Sequence, residues 1–348
     1  MRVTIRDVAK HAGVSPATVS RVLNRPELVD QATREKVRRA MDDLDFQPSA
    51  AARGLSVRRT DTIGLIVPGI TNLFFNELYA GIEQAASRHG RKVLMFNTEN
   101  SAHRVLDAFS FMRQHEVDGI LYTSETLDEN ADPLLQRIGI PVVLALTESL
   151  ARTPLSAYKV DERRAVFDAV AYLVTRGHRR IGFLGGQMPH DITGQQRYEG
   201  FLQAVRHFGL ESGEAYVEFG DYRMDSGYTA MQRLLERQSE LRLTAIAAAS
   251  DEMALGAIRC LNDRGFRVPD DMSVMGFDNL QIASMLTPRL TTVAQPFREI
   301  GARAVERLVE LTENPNLSSA EHGVHYLPHH IVERESVRPI LDGLDSPR

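Results

Sequence analysis

From Thr62 onward the chain alternates short β-branched runs with amphipathic helical stretches, and this alternation constrains the fold more than any other feature. "TIGLIV" (62–67) is followed by "FFNELYAGIEQAASRHG", then "KVLMFN", "VLDAFSFMRQH", "DGILY", "DPLLQRIG" and "IPVVLAL" (140–146). The same rhythm resumes with "AVFDAVAYLVTRGH" (165–178) and runs through "RIGFLGG", "RYEGFLQAVRHFG", "AYVEFG", "GYTAMQRLLERQ", "LTAIAAAS" and "EMALGAIRCLNDRG" to "MSVMGFDN" (272–279). Strands joined by helical crossovers form parallel sheets wound with helices on both faces. Two comparable series predict two similar α/β subdomains with a cleft between them, where a ligand would sit beyond the strand C-termini. The segment "LTTVAQPFREIGARAVERLVELT" and the later "HYLPHHIVERESV" are expected to cross back through both lobes.

The first 60 residues follow a different pattern. Thr4 and Asp7 have capping-box spacing ahead of "IRDVAKHA", whose Ile5, Val8, Ala9 and Ala12 form an apolar stripe ending at Gly13. In "GVSPATVSRVLN" (13–24), Ser15 is placed to cap a helix that opens on Pro16. Val14, Val19, Val22 and Leu23 lean to one side of that helix, and Ala17, Thr18 and Arg21 to the other. A third helix is predicted from Gln31 to Leu44, capped by Asp30, with Val37, Ala40, Met41 and Leu44 recurring on one face. "SAAARGLSVRRTDT", with Ser49 as a possible cap, reads as a short helix dissolving into a linker. It is too short to be stable alone and is a candidate coupling element.

Two short helices meeting at a Gly turn have the layout of a helix-turn-helix, whose second helix enters a major groove. The alternative is a three-helix cap on another domain. Charge favours the first. Residues 1–60 carry 12 Lys/Arg against 7 Asp/Glu, whereas the rest of the chain carries 29 against 39. A basic head on an acidic body suits phosphate binding, which releases counterions.

At 348 residues the chain has ample material for two or three domains. Its apolar runs fall short of the roughly 20 residues of a membrane span, and Met1-Arg2-Val3 leads directly into a helix, so the expected setting is cytoplasmic with no membrane partner. The single Cys260 forms no internal disulfide and offers no metal spacing; it reads as a small buried hydrophobe. No GxGxxG following a strand, P-loop, HExxH or GxSxG is present, which argues against an enzyme. His329 and His330 read as a solvated strand edge rather than a metal site. No catalytic residue, metal or cofactor is expected.

In combination, six motifs resemble the LacI/GalR family of transcriptional regulators: "VTIRDVAKHAGVSPATVSRVLN" (3 to 24), "QATREKVRRAMDDLDFQPSAAARGLS" (31 to 56), "IGLIVPGITNLFFNELYAGIE" (63 to 83), "RGHRRIGFLGG" (176 to 186), "SDEMALGAIR" (250 to 259) and "VPDDMSVMGFDN" (268 to 279). The resemblance implies an all-α helix-turn-helix head (1–48), a hinge helix and linker (49–60), a bilobal periplasmic-binding-protein-like core (61–340) and a tail (341–348). Lobe 1 would comprise about 61–158 and 293–322, and lobe 2 about 159–292 and 323–340. It also implies a repressor that binds a pseudo-palindromic double-stranded DNA operator as a homodimer and responds to a small effector, here a sugar or sugar derivative.

By position in the family, Ser15, Pro16, Ala17, Thr18 and Arg21 would face the major groove, with Arg21 able to bind a guanine bidentately. Thr4, Ser15, Thr18 and Ser20 would meet phosphates. Ser49, Ala52, Leu55 and Ser56 would be the hinge contacts, Leu55 matching the leucine wedge that kinks a central base step; the alternative is a linker leucine packed on its own core. The implied effector residues are Asn72, Phe74, Phe75, Thr193, Arg197, Tyr222, Ser250 or Asp251, and Asp278. Aromatic rings suit a sugar face, Asp278 and Arg197 suit adjacent hydroxyls, and Arg197 would also match a carboxylate or phosphate. Phe74 and Phe75 could instead be core, and Asp278 could cap the next helix.

The chain departs from the pattern in places. Leu146-Thr147-Glu148 stands where some members place Asp, Ser250 where one has Asn, and Asp191 where another has a ligand-binding Arg. No member's effector carries over directly. Phe109, Phe111 and Met112 are candidates for the dimer contact, and the tail lacks the leucine heptads of a tetramer. The alternative functions are a regulator controlled by a protein co-repressor and a cytosolic solute-binding protein.

Overall fold

The first helix, α1 (Ile5–Ala12), begins at a reciprocal capping box: the Thr4 N–H donates to Asp7 at 2.9 Å, and the Asp7 N–H donates back to the Thr4 hydroxyl at 3.4 Å. It stops at Gly13, whose φ of 65° reverses the chain. Ser15 accepts from the Thr18 N–H at 3.1 Å and starts α2 (Pro16–Asn24), and Asp30 accepts from the Thr33 N–H to start α3 (Gln31–Asp43). Val8, Ala9, Val19, Val22, Val37 and Ala40 fill the space between the three helices. The computed structural model describes residues 3–46, 59–99, 101–124, 126–187, 191–211, 213–314 and 322–340. The expected hinge contacts Ser49, Ala52, Leu55 and Ser56 lie outside these residues.

In the core, the first βα series gives β1 (Thr62–Val67), α4 (Phe74–Arg88), β2 (Lys92–Asn97), α5 (Ala102–Gln114), β3 (Gly119–Tyr122), α6 (Asp132–Ile138), β4 (Val142–Ala145) and β5 (Ser156–Val160). The second gives α7 (Glu162–Thr175), β6 (Ile181–Gly185), α8 (Ile192–Phe208), β7 (Val217–Phe219), α9 (Met224–Glu236), α10 (Gln238–Leu241), β8 (Ala245–Ala248), α11 (Asp251–Asp263), β9 (Ser273–Asp278) and β10 (Thr291–Ala294). The chain then returns to the first lobe as α12 (Phe297–Glu313) and ends with β11 (Gly323–Leu327) and β12 (His330–Val332). The strand orders are β11-β5-β4-β3-β1-β2 and β12-β10-β9-β8-β6-β7.

Two features of this topology differ from the sequence expectation. Residues 323–327, expected in lobe 2, pair in parallel with β5 in the first sheet. Strand edges likewise carry lobe 1 to Val160 and lobe 2 to Ala294. The five residues of β11, mostly exposed, carry no local mark of which open edge they will join. The second sheet also ends in an antiparallel strand, because β12 turns back along β10.

Residue alternation explains the layering of lobe 1. Ile63, Leu65, Val67, Leu121 and Val143 pack toward α4 and α12, while Ile66, Ile120, Tyr122, Val142 and Leu144 pack toward α5 and α6. A parallel sheet buried on both faces needs such unbroken apolar strands. Phe109 and Met112 are wholly buried in the second of these layers, and Phe111 packs on Phe96 at 5.3 Å. Phe109 and Met112 serve the core rather than a subunit contact, since an apolar helix stripe reads the same for either role, whereas Phe111 is half-buried. Cys260 is buried in lobe 2.

Candidate DNA-reading face and effector cleft

On α2, Ser15, Pro16, Ala17 and Arg21 are exposed, while Thr18 and Ser20 are half-buried beside them. Val19 and Val22 anchor the opposite side of the helix in the head. The sequence therefore presents one guanidinium and a row of short side chains on a helix whose N-terminus is fixed by a Ser cap and a proline. The Ser15 and Thr18 hydroxyls lie 2.9 Å apart, and Thr4 is exposed at the start of α1. Short side chains let the helix backbone approach base edges closely, and Arg21 can reach a guanine with two donors.

The second site forms where the C-terminal ends of both sheets meet. Arg197, on the second turn of α8, is buried at its centre. Its Nε donates to Glu162 at 2.8 Å, its Nη1 to the Ala249 carbonyl, and its Nη2 lies 4.0 Å from Asp278. The guanidinium sits over Phe277 at 4.0 Å, with Tyr222 at 5.6 Å. Burial works against this charge, but the carboxylates of Glu162 and Asp278 outweigh it and hold the guanidinium more firmly protonated than usual.

Around Arg197 each neighbour has a fixed place. Tyr222 donates its hydroxyl to Asp191, and its ring lies so close to Gly186 that any side chain there would collide with it. Burial, then the Asp191 charge, pushes the Tyr222 hydroxyl upward and keeps it protonated as a donor. Asp278, at the end of β9 with φ of 119°, accepts from Gln295 Nε2 at 2.8 Å. The next short helix (Gln281–Ser284) has no side-chain cap, so Asp278 is free of the capping role. Burial raises the Asp278 pKa, partly offset by Arg197.

Not every expected residue reaches the cleft. Phe75 is buried in the lobe 1 core and stacks on Tyr79, because it falls on the inner face of α4. Phe74, one residue earlier, is half-buried against Phe297 at 5.7 Å, and Asn72 is half-exposed on the preceding turn. Ser250 is the cap of α11: it accepts from the Met253 N–H and donates to the Tyr222 carbonyl. Asp251 is fully buried beneath Gly276, accepting from Thr292 at 2.6 Å and the Leu280 N–H at 2.7 Å. It ties β10 and the 279–280 turn to α11 rather than facing a ligand. Thr193 is half-buried in the first turn of α8, with Asp191 as the cap.

Among the described residues, polar contacts join the two lobes. The Leu73 N–H donates to Glu252, the Ile192 N–H to Thr126, and Gln196 bridges buried Lys159 at 2.8 Å to Glu148. Sequence reasoning missed Glu162, Gln295, Lys159 and Gln196. Glu162 follows the Asp161 cap of α7, where an acidic residue is an ordinary response to the helix dipole. The "AQPF" junction was the available signal for Gln295, since a polar residue there sits where the chain changes lobes.

A model described as bacterial regulatory proteins of the lacI family matches residues 4–49, and a periplasmic binding protein-like domain matches 170–337. Catabolite control protein A of Priestia megaterium is 38% identical, the alignment covering 97% of this chain and all of that protein. The chain belongs to the LacI family. Among solved LacI-family structures, the lac repressor dimer bound to operator and the anti-inducer ONPF is 28% identical, with a TM-score of 0.86 over 97% of this chain and all of that one. A transcriptional regulator CelR–cellobiose complex is 31% identical, with a TM-score of 0.73 over 96% of this chain and all of that one. Family membership makes this chain a regulatory protein rather than an enzyme. Among the described residues no helix is long and apolar enough to cross a membrane.

Proposed function

We propose that this chain is a repressor that binds a pseudo-palindromic operator as a dimer and is switched by a small sugar-like effector held between its lobes. The observation that carries this reading is the pairing, in one chain, of an exposed α2 reading face with a polar cleft built at the strand ends of two lobes. Ser15, Pro16, Ala17, Thr18 and Arg21 read the major groove. Thr4 and Ser20 hold phosphates, and Ser49, Ala52, Leu55 and Ser56 act at the operator centre. Asn72, Phe74, Thr193, Arg197, Tyr222 and Asp278 surround the effector, with Ser250 fixing Tyr222 from behind. The operator-bound dimer and the cellobiose complex among its relatives support the two halves of the proposal.

A dimer needs a face, and our candidate for it is a groove on lobe 2. Met224, Tyr228, Leu255, Ile258 and Leu286 line a hollow of about 450 Å³, with Met285 exposed beside it. An apolar patch of this kind on a regulator that must bring two heads to one operator fits a second copy. Effector binding would change the angle between lobes, and with it the spacing of the heads.

The test is selection of duplexes from a random DNA pool by the purified protein, repeated with neutral sugars, sugar acids, sugar phosphates and nucleosides. The expected result is one palindrome whose recovery changes with one class of compound. Failure to enrich any sequence would overturn the reading.

A further inference from the structure

The charge on Arg197 is already spent, and this restricts what the cleft can hold. A guanidinium waiting for a phosphate or carboxylate keeps two parallel N–H groups free for the fork. Here Nε faces Glu162 and Nη1 faces a backbone carbonyl, while the second carboxylate, Asp278, stands near Nη2. Lys159, a second buried cation beside the cleft, donates to Gln196, whose amide in turn meets Glu148. Two cations thus share the cleft with Glu148, Glu162, Asp191 and Asp278, so the local balance is acidic.

An independent feature shows what the cleft lacks. Gln295, only 9% exposed, donates to Asp278 through Nε2, yet its buried Oε1 has no hydrogen-bond partner. The contacts of Asp278 fall on its Oδ1. A buried acceptor left unmatched is costly, so a ligand that offers hydrogen-bond donors gains by filling it. Hydroxyl groups do so without adding charge, whereas a phosphate or carboxylate oxygen would meet acceptors of its own kind.

We propose that Glu162 is a specificity-determining residue: by neutralising Arg197 it makes the cleft take an uncharged, hydroxyl-rich ligand and refuse the phosphorylated or carboxylated form of the same molecule. This rests on the cleft being the effector site, and it adds a rule of exclusion. Replacing Glu162 by glutamine keeps the side chain's shape and an acceptor for Arg197 Nε but removes the carboxylate charge in direct contact with the guanidinium, leaving only Asp278, 4.0 Å from Nη2, to offset it in part.

Titration calorimetry of the full chain with inorganic phosphate, glucose 6-phosphate and gluconate tests the rule. The wild type is expected to give no saturable heat with any of them at millimolar concentration. Glu162→Gln is expected to bind at least one of them at least about tenfold more tightly, because removing a repelling carboxylate is a gain of specificity for anions. Saturable binding of these anions to the wild type would overturn the proposal, and so would a folded Glu162→Gln that rejects them as the wild type does. Should that variant not fold, the wild-type titrations and the charge of whichever compound alters operator recovery still decide: a sugar acid or phosphate as effector overturns the rule. The outcomes separate from those of the proposed function. Anion binding to a protein that still selects an operator defeats only the specificity rule, whereas absence of operator selection defeats the regulator reading.

Discussion

His178 shows how one side chain fixes a distant segment. It is 1% exposed, with Nδ1 at 3.1 Å from the Thr244 hydroxyl and Nε2 at 3.1 Å from the Arg338 carbonyl, and so holds the end of the described chain against lobe 2. Burial pushes its pKa from 6.5 down to about 4, the Arg338 carbonyl contact only partly opposing it. Above pH 6.5 neither the folded nor the unfolded state is protonated there, and stability is unaffected. Between 6.5 and about 4 the unfolded chain gains a proton that the folded one refuses, so stability falls as pH falls, by up to about 3 kcal/mol. Urea denaturation across that range should show the slope, and His178→Gln should flatten it. Arg21 belongs to the same scale. Arg21→Ala removes an exposed side chain, so the melting temperature should hold while specific binding weakens by about 1–3 kcal/mol in a titration of the selected duplex.

The crossing of α4 and α12 depends on two glycines. A side chain at Gly81 would run into the backbone of Arg298, and one at Gly301 would meet the Leu78 carbonyl at 2.7 Å. The helices are therefore in backbone contact at this point, reinforced by Arg298 on Glu77 at 2.6 Å. Gly81→Ala should lower stability by about 1–3 kcal/mol or more by thermal or urea denaturation, since the neighbour is backbone and cannot rotate away. Elements were legible in the sequence where their signals are local: Thr4, Ser15 and Asp30 cap the helices whose starts they predict, and the strands of both series fall on the β-branched runs. Features that depend on distant partners were not legible. β11 joins the first sheet because β5 offers an open edge, and Phe109 and Met112 face inward because a sheet lies there. In the cleft, Arg197, Tyr222 and Asp278 follow from motif position. Glu162 becomes visible only once α7 and α8 stand side by side, whereas Gln295 had a faint signal in its place at the lobe crossing.

At the scale of the molecule, α12 connects the two ends of the proposed mechanism. Its 17 residues span about 25 Å. It begins two residues after Gln295, which holds Asp278, and ends at Glu313, which pairs with Arg59 at 3.2 Å where the described chain resumes at residue 59. Arg91, with a side chain only 4% exposed, gathers Asp61, Asp118 and Glu313 at the same point. A helix reaching from the cleft to Arg59 would give the proposed effector and operator a physical route of coupling. Arg59 is partly exposed, so Arg59→Gln should leave the fold intact while reducing the effector's influence on operator affinity, measured as the ratio of dissociation constants with and without effector. Coupling must be reciprocal, and each ligand changes the other's affinity by the same factor, typically about 5–150-fold. The most direct measurement is therefore the operator dissociation constant of the wild type at fixed salt, with and without the compound found to alter selection. A shift within that range, matched by an equal shift of effector affinity on operator, is the predicted result. An operator affinity indifferent to every compound that fills the cleft would contradict it.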